Sequence, residues 1–157
     1  MKYVVVTLML AAAITSQRAS DLLTAAPSQQ TSGSPAFHDH APREPLPDTL
    51  DPISFKDNRN AFVAYTLASR VKSILYQVPC YCGCDREKGH SSLLDCFTGN
   101  HGIRCHMCQR EVIFCYLRDK HGTSVSEIRK DLASGRASRL NLEKYGALLR
   151  WEIRSER

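Results

Sequence analysis

Three cysteines alternate at Cys80, Cys82 and Cys84, inside the stretch PCYCGCDREKGHSSLLDC that ends at Cys96. This spacing limits the fold more than any other feature of the chain. Thiols at i, i+2 and i+4 project to one side of an extended segment, or converge around a turn at Gly83. A disulfide wants Cα atoms about 4.4–6.8 Å apart and a near-perpendicular dihedral, so a C-x-C bridge closes a strained ring. The same spacing makes a good multidentate thiolate ligand. Cys105-x-x-Cys108 follows, a recurring half-site for a tetrahedral metal. It falls at the start of an expected helix, whose dipole favours thiolate. The chain has seven cysteines, an odd number that rules out complete pairing within one chain.

Cys80, Cys82, Cys84, Cys96, Cys105 and Cys108 therefore offer up to six thiolates from three neighbouring segments. Soft thiolates select Cu(I), Zn(II) or an iron–sulfur cluster. One structural zinc needs only four ligands, so the excess points to a small polynuclear site. Cu(I) suits an exported thiol-rich protein best, with Zn(II) next. His90 is a candidate auxiliary ligand or a donor to a thiolate, against the plain reading of a loop histidine. His101, before Cys105, is a weaker candidate of the same kind. His106 is expected to face solvent, and His121 to complement a helix C-terminus. Cys115 lies two turns beyond Cys108 between Phe114 and Tyr116 and reads as a buried free thiol. Two rival readings stay open. Three disulfides with Cys115 spare would staple a small domain. Cys105 and Cys108 could form an active dithiol, although the βαβ context of a thioredoxin-like motif is missing. No paired carboxylates, Ser/His/Asp set or Gly-rich phosphate loop occurs, so no catalytic activity is expected. The expected partners are a metal ion and a protein that donates or accepts it.

The chain opens MKYVVVTLMLAAAITSQ: a lysine, an apolar run and then small residues, the pattern of a secretory signal peptide over residues 1–16, with cleavage anywhere up to about Ala25. The run is short of the ~20 residues that span a bilayer, and membrane attachment is expected only if the segment stays uncleaved. The expected location is therefore secreted or periplasmic. Residues 17–52 hold six of the seven prolines and few large apolar side chains, which predicts a flexible linker. A folded domain is expected over residues 53–157. The net charge of +5 is spread among acidic residues such as Asp119, Glu127, Asp131, Glu143 and Glu152. That describes a solvated helical surface and not a nucleic-acid stripe.

Within the domain the apolar period is that of helices. Phe62, Tyr65, Ala68, Val71 and Leu75 share one face over residues 58–78, with Asn58 or Asn60 as the cap and Pro79 as the stop. Ser92-x-x-Asp95 and Ser124-x-x-Glu127 look like helix starts. Gly122 and Gly135 look like stops. Leu142, Tyr145, Leu149 and Ile153 mark a last amphipathic helix. The expectation is an all-α bundle of four to five helices with its cysteines at the junctions.

On residues 79–84, Gly89-His90, Cys96-Phe97, Cys105-x-x-Cys108 and Ser-Glu-Ile-Arg at residues 126–129, the sequence resembles a family of exported bacterial proteins named for their PCYCGC motif. The resemblance covers about residues 58–132. It implies no established reaction or ligand, so the metal reading rests on spacing. Many members look like lipoproteins; this chain has no cysteine near its N-terminus to carry a lipid.

Overall fold

The computed structural model describes residues 33–155. The expected signal peptide and the first part of the expected linker lie outside these residues. The described chain is helical, with seven α-helices and no strand. The elements are α1 (Arg59–Arg70), α2 (Lys72–Tyr76), α3 (Cys84–Lys88), α4 (Asp95–Thr98), α5 (His106–Lys120), α6 (Val125–Ala133) and α7 (Leu142–Ser155), with 3₁₀ turns at Pro52–Phe55, His101–Ile103 and Ala137–Arg139. The all-α class is as expected. The helix count exceeds four to five because the cysteine region folds into short pieces, α3 and α4, and because the first helix breaks in two. Val71 leaves helical geometry at φ −121°, ψ 30°, and α2 runs on from there.

The expected helix signals act where the sequence puts them. The Asn58 side chain accepts from the Ala61 N–H at 3.1 Å. Ser124 and Glu127 form a reciprocal capping box. The core lies between α1, α5 and α7. Ala61, Val63, Ala64, Tyr65, Leu67 and Ala68 are buried along α1, and Val112, Ile113, Cys115 and Tyr116 along α5. The expected Ser92 cap does not form. Ser92 is buried, and it is Ser91 that bonds Asp95, through its N–H at 2.7 Å and its hydroxyl at 2.8 Å.

Residues 33–51 depart from the expected flexible linker. They lie along the domain: the Leu50 N–H reaches the Phe97 carbonyl at 3.0 Å, Lys72 pairs with Asp48 at 3.0 Å, and His38 stacks on Tyr76 with centroids 3.8 Å apart. Leu46 and Leu50 pack against the core. Two leucines suffice here because prolines already restrict the backbone, so less entropy is lost on docking. Among the described residues no helix is long and apolar enough to cross a membrane.

Candidate metal centre

The centre is assembled around the first two turns of α5. Cys105 is the N-cap, its sulfur accepting from the Cys108 N–H at 3.3 Å. Cys108, Glu111 and Cys115 follow at helical spacing on the buried face. Glu111 reaches back to the cysteine loop, where its Oε1 accepts from the Tyr81 N–H at 2.9 Å. Gln109, 1 % exposed, donates from one Nε2 to the carbonyls of Gly102 at 2.8 Å and Ile103 at 2.9 Å. Those bonds pin the turn that carries His101.

The other two segments are placed by backbone. Gly83 takes φ +86°, left-handed geometry that suits glycine, and turns the chain from Cys82 into α3. The Leu93 N–H bonds Val78 O at 2.9 Å and the Leu94 N–H bonds Leu75 O at 3.2 Å, docking the segment that leads to Cys96 against the end of α2. Gly102 lets the His101 turn lie on α4: a Cβ there would stand 2.8 Å from a Phe97 ring carbon. Tyr65 closes the inner side, its hydroxyl donating to Gly99 O at 2.6 Å.

Six sulfurs meet as a result. Cys80 and Cys82 are 3.2 Å apart, Cys80 and Cys108 3.5 Å, Cys84 and Cys96 3.5 Å, Cys82 and Cys108 3.7 Å. Two histidines touch them: His101 Nε2 lies 3.4 Å from Cys82 and His90 Nδ1 3.4 Å from Cys96. Three sets of four donors each lie within 4.8 Å of one another: Cys80, Cys82, Cys96 and Cys108; Cys82, Cys84, Cys96 and His101; Cys82, His101, Cys105 and Cys108. Cys82 belongs to all three, so its sulfur is within that distance of every other sulfur of the cluster. A tetrahedral site with metal–sulfur bonds of about 2.3 Å has sulfurs about 3.8 Å apart. The observed separations are close to that edge. All seven cysteines are free thiols.

The protons sort themselves within the cluster. Hydrogen bonding from Cys80, against the cost of burial, brings Cys82 down to about 3, with His101 adding to the effect. Cys105 and Cys96 are lowered first by Cys108. Cys108 is raised by serving Cys105, Cys80 and Cys96 and by burial. Cys84 is raised by Cys80 and by burial. For Cys80 the contact with Cys108 lowers, but contacts with Cys82 and Cys96 and burial outweigh it. Cys82 is thus held as a thiolate by its neighbours, with lowered and raised thiols side by side around it, an arrangement that a cation would neutralise. Burial pushes Glu111 up to about 7 and raises Cys115 well above an ordinary thiol.

The six expected cysteines are therefore brought together, and Cys115 stays outside the cluster as a buried thiol. His90 contacts one sulfur but joins none of the three donor sets, whereas His101 joins two. The fixing of His101 by Gln109 and Gly102 went unread in sequence, because a Gln and a Gly seven residues apart carry no ligand signal of their own. His106 is exposed as expected. The active-dithiol reading gains nothing, since Cys108 is fully buried and no strand exists among the described residues.

Fold and site define a small all-α protein built around a polythiol cluster that could hold a metal. A family model described as "Protein of unknown function with PCYCGC motif" matches residues 3–135, and the chain belongs to that family. Searches of curated proteins and of solved structures find no match.

Proposed function

We propose that the protein binds a soft metal ion, Cu(I) by preference and Zn(II) next, and serves to sequester or deliver it outside the cytoplasm without a catalytic step of its own. The observation that carries this reading is that each of the six sulfurs has at least two others within 4.8 Å. A disulfide gives a sulfur one sulfur partner; a metal cluster gives it several. Overlapping donor sets that share Cys82, Cys96 and Cys108 suit thiolates that bridge neighbouring Cu(I) ions. Export rests on the signal-peptide pattern of residues 1–16 and would place the thiols where a bound metal protects them from oxidation. A metal-donor or acceptor protein follows as the partner.

The test is a competition titration of the reduced chain with Cu(I) and with Zn(II) against a chromophoric chelator. Wild type and Cys115→Ala should compete at equal stoichiometry. Cys82→Ser, which removes the donor common to all three sets, should lose most of that capacity. Wild-type capacity in Cys82→Ser would remove the basis of the proposal.

A further inference from the structure

The cluster is unevenly covered. Cys80, Cys84, Cys96 and Cys108 are 2 %, 1 %, 0 % and 0 % exposed. Cys82, Cys105 and His101 are only half-buried. These three belong to a single donor set, completed by Cys108. A surface concavity lined by Asn100, His101, Ile103 and Arg104 reaches that edge at His101.

Two donor sets are related in a particular way. The deep set is Cys80, Cys82, Cys96 and Cys108; the outer set is Cys82, His101, Cys105 and Cys108. They share Cys82 and Cys108. An ion moving between them keeps two ligands throughout and exchanges only two. The outer set also contains the one uncharged donor, an imidazole, which leaves a cation with less charge separation than a thiolate does. Its Cys105 sulfur sits at the N-terminus of the 15-residue α5, where it accepts from the Cys108 N–H.

We infer that Cys82, His101 and Cys105 form the exchange port of the cluster, and that the concavity of Asn100, Ile103 and Arg104 seats the anionic ligand that gives or takes the ion. This rests on the metal reading above. In the inward step the bonds to His101 Nε2 and Cys105 Sγ break while bonds to Cys80 Sγ and Cys96 Sγ form. The ion keeps its oxidation state, and the Cys80 thiol proton leaves to solvent. Arg104, exposed at the mouth, would attract such an anion. The turn that carries the port is pinned by Gln109, and that preserves the shape of the mouth.

The experiment follows the transfer of Cu(I) from the loaded, reduced chain to bathocuproine disulfonate by stopped-flow absorbance, with total bound copper measured on the same samples. The double variant His101→Ala/Cys105→Ser removes the outer ligands and leaves the deep set intact. Ile103→Trp fills the concavity without altering a ligand. Both should slow transfer by about tenfold or more, the scale on which metal sites respond to loss of supporting groups, while each still retains copper. Cys115→Ala, outside the cluster, should transfer at close to the wild-type rate. Copper retained by every variant with unchanged transfer rates would overturn the port and leave the metal reading standing. A wild-type chain that takes up no copper would overturn both.

Discussion

Gln109→Leu tests the construction of the site without touching a candidate ligand. The Gln109 amide is almost fully buried and bridges the Gly102 and Ile103 carbonyls at 2.8 and 2.9 Å. Leucine fills much of the same volume and donates nothing. The Gly102 carbonyl belongs to a buried residue, and leaving it without a donor costs about 1–3 kcal/mol; the half-buried Ile103 carbonyl can recover water, and its loss is about 0.5–1.5 kcal/mol. Against this, Gln109 Oε1 is itself buried without a partner, and removing it returns about 1 kcal/mol. The net cost is about 2 kcal/mol, or roughly 8–10 °C in melting temperature for a domain near this size. Far-ultraviolet circular dichroism of the reduced chain, melted in chelator, measures it. Adding metal should recover part of the loss, because ligation of His101 would hold the same turn. A melting point within about 2 °C of wild type would show that the turn stands without Gln109 and would refute the reasoning.

Gly102→Ala places a methyl 2.8 Å from the Phe97 ring and should cost about 1–3 kcal/mol by overpacking; an unshifted melt in the same assay would contradict the contact. Glu111 titrates at about 7 in the fold against 4.5 when free. Its folded form therefore holds a proton that its unfolded form has lost, and stability falls as pH rises from about 4.5 to 7, by about 3 kcal/mol from this group. Denaturant melts of wild type and Glu111→Gln in that window should differ in slope, and parallel pH profiles would count against the assignment. Cys80, Cys84 and Cys108 are raised and hold protons at neutral pH, so metal loading should release protons and apparent affinity should rise with pH. Loading in weak buffer with a pH indicator reads this directly, and a silent indicator would contradict the proton arrangement.

The elements legible in the sequence are those whose signals are local. Helix α1 has its Asn58 cap and a clean apolar period, and α6 has its capping box. The meeting of the six cysteines followed from spacing and from Pro79 ending the helix before them. What escaped depends on partners distant in sequence. Residues 33–51 read as linker because their two leucines cannot order a free chain, yet they dock on a surface that α2 and α4 have already built. His101 looked weaker than His90 because a histidine in a connecting loop is often just a polar residue. Its place is set by Gly102 lying against Phe97 and by Gln109 one helical turn beyond Cys105. The break at Val71 has no proline or glycine to announce it.

Native mass spectrometry of the protein, purified without oxygen and without added reductant from an exporting host, tests the central claim most directly, with metal analysis and thiol counting on the same sample. The account predicts added mass from copper or zinc, with six of the seven thiols becoming alkylatable only after chelation and Cys115 only after unfolding. A metal-free mass short of six hydrogens, with one alkylatable thiol after unfolding, would contradict it and make the cluster three disulfides.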